Sequence, residues 1–181
     1  TMAGVLRFWR DRGADGFRLD AIDRLRKDPA LRDDPVAAGP PPLPEPPQSA
    51  LLEHVHSRNA PDIGDALAVF RDAVGPEVAL FGEVYLPSAQ LAPYLRHLDA
   101  AFCFDLLHAP WREPALRAAV AGGLDTQVTG GPLAWVLSNH DFPRLPDRVG
   151  VANVRAAALL MLTLPGPVFV YQGDEIGMGD G

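Results

Sequence analysis

Apolar residues in this chain cluster in short unbroken runs, and the runs alternate with segments of helical periodicity. Residues 78–82, 100–104, 133–137 and 168–171 are nearly continuous apolar stretches of four or five residues. Such runs read as strands buried on both faces. Residues 15–20 form a fifth short strand that ends in an aspartate. Between them, residues 2–12 place Val5, Leu6, Phe8 and Trp9 inward and leave Arg7, Arg10 and Arg12 wet, with Gly13 as the stop. Residues 22–27 predict a turn of helix with Ile22 and Leu25 inward. Residues 50–57, 63–74, 88–97, 114–120 and 151–164 predict further helices, with Ser88 as a cap. Five strands separated by helices make an α/β chain with a parallel sheet.

One segment breaks the alternation. Seven prolines fall between Pro35 and Pro47, with Gly39 among them, so residues 33–49 hold neither a continuous helix nor a sheet strand. Strand–helix alternation resumes afterwards, so the segment reads as an insertion loop within one domain, and not as a linker between two.

Composition narrows the partners. The chain has 181 residues, 48% of them hydrophobic, enough for one domain with a sizeable core. Its net charge of −7 disfavours nucleic acid and anionic membrane as partners and is compatible with a neutral small-molecule carbohydrate. No run reaches the ~18 apolar residues that span a bilayer. The first residues carry no secretory signal, and the chain opens inside an element; the expectation is a cytoplasmic protein whose native N-terminus is missing. The single cysteine, Cys103, lies in an apolar run and reads as a small core residue. No zinc spacing occurs, and neither a metal nor a cofactor is expected. Oligomeric state is left open.

Chemistry concentrates at the strand ends. Gly16-Phe17-Arg18-Leu19-Asp20, Leu80-Phe81-Gly82-Glu83 and Leu137-Ser138-Asn139-His140-Asp141 each place a carboxylate where an apolar run stops. The C-terminal ends of parallel strands are where β/α folds hold their ligands. An open doubly wound sheet gathers ligand contacts at one switch point, whereas a barrel draws them from many strand tips. Three of five strands contribute here, which favours the barrel. No glycine-rich phosphate loop follows the first strand, which lowers nucleotide readings. Three carboxylates suit acid/base and nucleophilic work on a sugar. The ordinary alternatives are an Arg18–Asp20 ion pair at a strand end, a helix-start Glu83 and a satisfied His140–Asp141 pair.

Taken together, Gly16-Phe17-Arg18-Leu19-Asp20-Ala21-Ile22-Asp23, Phe81-Gly82-Glu83-Val84-Tyr85 and Ser138-Asn139-His140-Asp141 resemble three signature regions of glycoside hydrolase family 13, the α-amylase family. The stretch from Pro165 through Gly173-Asp174-Glu175-Ile176-Gly177-Met178 resembles that family's segment around the eighth barrel strand. The four matches occur in family order over nearly the whole chain. The resemblance implies a partial TIM (β/α)8 barrel, approximately strands 4 to 8 with their helices. Residues 1–181 would then be the C-terminal portion of the catalytic barrel, a fragment inactive alone. His54-Val55-His56-Ser57-Arg58-Asn59-Ala60-Pro61 is similar to the α-glucosidase and oligo-1,6-glucosidase branch.

Carried over by that resemblance, Asp20 is the nucleophile, Glu83 the general acid and base, and Asp141 the transition-state stabiliser. Arg18, His140 and Arg144 are sugar-binding or orienting residues. Asp20 and Glu83 should sit about 5–5.5 Å apart if the enzyme retains anomeric configuration. Glu83 should titrate above a free glutamate while Asp20 stays ionised. Ala21, just after the nucleophile, points to α-1,4 or broad linkage preference. Tyr85 and Phe142 read as packing more than sugar stacking, Asp105 as structural, Asp174 and Glu175 as loop-ordering, and His54 and His56 as solvated. The competing readings are a transglycosylase or isomerase of the same family, of the isomaltulose or trehalose synthase type, and a non-catalytic relative.

Overall fold

The computed structural model describes residues 1–39 and 51–181. Most of the expected proline-rich insertion, residues 40–49, lies outside the described residues. What is described on either side of it, Val36 and Leu52, meets in an antiparallel bridge. Residues 51–57 are therefore a bridge and turns, not the expected helix.

Five strands build one parallel sheet: β1 (Gly16–Leu19), β2 (Ala79–Gly82), β3 (Ala100–Cys103), β4 (Leu133–Val136) and β5 (Val168–Phe169). Their spatial order equals their sequence order, with every neighbouring pair parallel. A doubly wound sheet reverses direction at its first strand; this one never does. It is the curled, sequential sheet of a partial (β/α)8 barrel.

The helices among the described residues are α1 (Met2–Arg10), α2 (Ile63–Val74), α3 (Ala92–Leu95), α4 (Phe104–His108), α5 (Glu113–Thr129), α6 (Leu145–Val149) and α7 (Val154–Thr163). Strand alternation sorts side chains between the two faces. Leu80, Ala101, Cys103, Leu133 and Trp135 face the helices in the main core. Ala100, Phe102, Ala134 and Val136 face inward with Phe81 in a second cluster. The continuous apolar runs thus encode two cores, one on each side of the sheet.

Helix α1 begins at Thr1, whose hydroxyl accepts from the Gly4 N–H at 3.4 Å. It ends in a Schellman closure: Gly13 at φ 94° donates to Arg10 O, and Ala14 donates to Trp9 O. Only Ala3 and Leu6 of its apolar residues are buried; Val5, Phe8 and Trp9 are about half exposed, contrary to the expected inward face. The stripe Ala3–Leu6–Arg10 turns inward instead, and Arg10 donates to Ala73 O at the end of α2. Leu25 is also exposed, because the turn after β1 stops at Arg24. Residues 88–97 split into a 3-10 turn and α3, with Pro93 in the first turn of α3. Ser88 does not cap by its hydroxyl; its N–H donates to Asp105 Oδ2. The last apolar helix is α7 preceded by a 3-10 turn, with Ala157 and Met161 buried and Leu159 and Leu162 exposed. Among the described residues no helix is long and apolar enough to cross a membrane.

Helix α5 continues to Thr129, well past residue 120 where its apolar core suggested an end, and runs straight through Gly122 and Gly123. Gly123 is there for contact. A Cβ built on it would lie 2.4 Å from the indole of Trp135, which is fully buried and pinned by its Nε1–H to Pro165 O. Gly123→Ala should therefore lower unfolding stability by about 1–3 kcal/mol through overpacking. Gly122→Ala, whose Cβ meets only Ser88 Oγ at 3.4 Å, should leave stability unchanged or raise it by up to about 1 kcal/mol. Urea denaturation of the two variants checks the contrast; equal effects would remove the Trp135 argument.

Candidate active site

The β1–β2 ladder pairs Arg18 with Phe81 and Leu19 with Gly82. One rung further, Asp20 and Glu83 emerge side by side at the C-terminal edge. The ladder continues there, since Glu83 N–H donates to Leu19 O at 2.9 Å and Ile22 N–H donates to Glu83 O at 3.0 Å. Gly82 lets this happen: a Cβ on it would come within 2.7 Å of Leu98 and Ile22 side chains. Its missing side chain admits neighbouring core residues.

Arg18 alternates to the same side as Asp20 and bridges both carboxylates. Its Nη1 donates to Asp20 Oδ1 at 2.9 Å and its Nη2 to Glu83 Oε1 at 2.6 Å. The second oxygen, Glu83 Oε2, accepts from the Ala21 N–H at 3.1 Å. Ala21 reaches that oxygen in a left-handed conformation, φ 44° and ψ 44°, which costs an alanine about 1–2 kcal/mol. Glu83 is 3% exposed, while the Asp20 side chain is open to solvent.

These surroundings push the pair apart. A hydrogen bond with the Glu83 carboxyl, followed by the Arg18 guanidinium, holds Asp20 below the usual aspartate range. Burial, reinforced by Asp20, raises Glu83 above the usual glutamate range, while the Ala21 amide and Arg18 pull against it. One carboxyl favours its charged form and its neighbour favours the proton.

The third carboxylate stands at the end of β4 in a closed ring of hydrogen bonds. Tyr85 Oη donates to Asp141 Oδ2 at 2.6 Å, Asn139 Nδ2 donates to Tyr85 Oη at 3.2 Å, and Asp141 N–H donates to Asn139 Oδ1 at 3.0 Å. The Tyr85 ring stacks on Phe104, centroids 4.5 Å apart. Burial and the bond to Asp141 raise the Tyr85 phenol well above its ordinary range, so it stays a donor. Tyr85 is thus more than packing. Tyr85 and Asn139 stood in the quoted motifs, but the sequence reading took Tyr85 for packing and gave the Asn139 amide no role; their bonds to Asp141 set its position. His140 is mostly exposed, its Nε2 3.5 Å from Asp141 Oδ1.

Arg18, Glu83, Asn139, His140 and Tyr171 border a cleft of about 230 Å³ on the inward face of the sheet. Its floor is aromatic: Phe169 meets Phe81 and Phe102 edge-on at 5.1 and 4.8 Å. Arg144 lies on the flank and not in this cleft. It donates from Nη1 to Gln172 O at 2.6 Å, receives Tyr171 against its guanidinium at 5.3 Å, and so steadies the loop after β5. A larger apolar cavity of about 510 Å³, bordered by Met161, Val170 and Ile176, opens beside α7 and holds none of the three carboxylates.

The remaining candidates take structural places. Asp105 Oδ2 accepts from Ser88 N–H, and Glu175 Oε2 accepts from Gly173 N–H. Burial pushes the Asp174 carboxyl up. The thiol of Cys103 is fully buried and pushed up to about 12 by that burial. His54 is not solvated as expected: Nδ1 lies 3.1 Å from Asp34 Oδ2 and 3.0 Å from Ser57 Oγ, and Ser57 also bonds Asp34. His56 N–H donates to the same aspartate. Among the described residues no group of three or more His, Cys, Asp or Glu converges on a cation position.

Comparison with known proteins gives this arrangement a family. A model of the alpha-amylase catalytic domain matches residues 1–181. "Maltase 1" of Drosophila virilis is 32% identical over 99% of this chain and 31% of its own length. "Alpha-glucosidase" of Culex pipiens is 30% identical over 99% of this chain and 33% of its own length. The crystal structure of an "alpha-glucosyl transfer enzyme, XgtA" superposes with a TM-score of 0.82 at 28% identity, covering 98% of this chain and 36% of that one. The chain spans about a third of the length of these relatives. With a family model matched over residues 1–181 and a sequential parallel sheet that presents its carboxylates at the strand tips, this chain belongs to the alpha-amylase family and is part of its catalytic domain.

Proposed function

We propose that this chain supplies the catalytic carboxylates of a retaining α-glucoside hydrolase acting on α-1,4, and to a lesser degree α-1,6, linked gluco-oligosaccharides or disaccharides. One observation carries the reading: Arg18 bridges two carboxyls whose surroundings drive their proton affinities in opposite directions. Such divergence assigns acid and base. The names of the maltase and α-glucosidase relatives support the substrate class.

In the first displacement, Asp20 attacks the anomeric carbon as the glycosidic C–O bond breaks and Glu83 gives its proton to the leaving oxygen. Glu83, now a carboxylate, then takes a proton from water. The water oxygen displaces Asp20 from the glycosyl ester. Both carboxyls contact the single Arg18 guanidinium, Asp20 Oδ1 at 2.9 Å and Glu83 Oε1 at 2.6 Å, and this close pairing supports retention. Asp141, held by Tyr85, grips ring hydroxyls as positive charge grows at the anomeric carbon. His140 adds a hydroxyl contact, and Arg144 contributes from the Tyr171 side.

A transfer reaction is the second reading, favoured by the fold match to the glucosyl transfer enzyme. It keeps the first displacement and replaces water by an acceptor sugar. We propose further that the chain is inactive alone, because β1 and β5 are open edges and the cleft is walled by five strands only.

The assay uses 4-nitrophenyl α-glucoside, maltose and isomaltose with the chain restored to its relatives' length. Asp20→Asn should abolish turnover of all three. Glu83→Gln should lose about 10²–10⁴-fold on maltose and far less on the activated aryl glucoside, with azide restoring release of the glycosyl group. Retained maltose turnover by either variant would reject the assignment, and sugar transfer products in place of glucose would select the second reading.

The pH dependence follows from the two displaced carboxyls. Hydrolysis needs Asp20 charged and Glu83 protonated. The acid limb of kcat/KM should therefore fall below the ordinary aspartate range and the alkaline limb above the ordinary glutamate range. Asp20→Asn removes the neighbouring negative charge, so the Glu83 midpoint should drop. A rise would contradict the electrostatic account.

A further inference from the structure

Glu83 has two carboxylate oxygens, and different parts of the fold hold them. Arg18 takes Oε1. The donor to Oε2 is the amide of Ala21, which belongs to the peptide bond immediately after Asp20. That amide meets Oε2 where the chain turns at Ala21, whose φ of 44° is a conformation alanine adopts rarely. The turn is strapped to Glu83 at two further points, Glu83 N–H to Leu19 O and Ile22 N–H to Glu83 O. Three residues around the nucleophile, Leu19, Ala21 and Ile22, thus bracket the residue that must gain and lose a proton.

We propose that the left-handed Ala21 peptide is a positioning device for Glu83: its N–H fixes Oε2 and stabilises the carboxylate form, so that the same turn which carries Asp20 also tunes the proton affinity of its partner. The inference rests on Glu83 acting as acid and base. It adds a division of labour. Burial and Asp20 favour protonated Glu83, the form the first displacement needs. The Ala21 amide and Arg18 favour ionised Glu83, the base of the second. Without the amide, Glu83 would hold its proton too tightly for the return half of the cycle.

The charged groups around Glu83 are few. Strand β1 contributes Arg18 and Asp20, the segment after β2 contributes Tyr85, and the end of β4 contributes His140 and Asp141. None of them changes when the Ala21 donor alone is removed.

The test reads Glu83 directly, by ¹³C NMR of the full chain labelled at glutamate carboxyls, with Glu83→Gln identifying the resonance. Replacing Ala21 by its α-hydroxy acid, lactic acid, keeps the methyl group and removes only the N–H. The Glu83 midpoint should then move up by about one pH unit or more. Ala21→Gly reaches the left-handed region freely and keeps the N–H, so its midpoint should match the parent. A second measurement needs no change at residue 21: the Ala21 amide proton should titrate with the Glu83 midpoint and lose that titration in Glu83→Gln. An unmoved or lowered midpoint in the hydroxy-acid variant, or an Ala21 amide indifferent to Glu83, overturns the proposal. In the version restored to its relatives' length, the alkaline limb of kcat/KM should rise with the midpoint. A midpoint that moves in a protein with no glucosidase activity would sink the function and leave the positioning role standing.

Discussion

Two adjacent parallel strands, paired in one register, bring two carboxylates onto one guanidinium. Everything else at the site answers that constraint. Parallel neighbours lie about 4.8 Å apart, and Asp20 and Glu83 follow the paired residues Leu19 and Gly82 directly. Two like charges at that distance repel, and burial makes one of them costly. Arg18 lies between them because strand alternation puts it on the side of Asp20. A slip of one residue in the β1–β2 pairing would turn Arg18 toward the helices and dismantle the arrangement. The packing beneath therefore matters to the chemistry: Leu80 and Leu19 on one face, with Gly82 admitting Leu98 and Ile22, hold that register.

The strands were the legible part of the chain. Their apolar runs are continuous because both faces are buried, against helices on one side and an aromatic interior on the other. The 63–74 helix was read to the residue because Ile63, Leu67 and Val74 recur at helical spacing and Gly75 terminates it. Arg18, Asp20 and Glu83 were legible for a related reason: charged residues that interrupt or end buried strands stand out, and parallel strands end at the site.

What was not legible depends on contacts between elements. Helix periodicity shows that α1 has an apolar side but not how wide a stripe α2 will cover, so Val5, Phe8 and Trp9 were placed inward and lie about half exposed. Nothing in the order of residues ties Tyr85 to Asp141, 56 positions later, since that bond exists only after β2, β3 and β4 align. The His54–Asp34–Ser57 cluster likewise joins two arms that flank the proline-rich stretch. Arg144 was expected at the sugar; its geometry is set by Gln172 and Tyr171, from the next strand's loop.

The hydrogen-bond ring of Tyr85, Asp141 and Asn139 ties the tip of β2 to the tip of β4 across β3, much as Arg18 ties β1 to β2. Three strand ends, those of β1, β2 and β4, are thereby laced together by side chains. Substitutions at these positions will not behave as independent changes, because each residue is a partner in another's geometry. A lineage exploring new substrates would find such tips hard to alter one at a time. Variation would accumulate in the loops between strands, above all in the long segment from Arg24 to α2 that carries the prolines, while the laced rim changes only in concert or not at all.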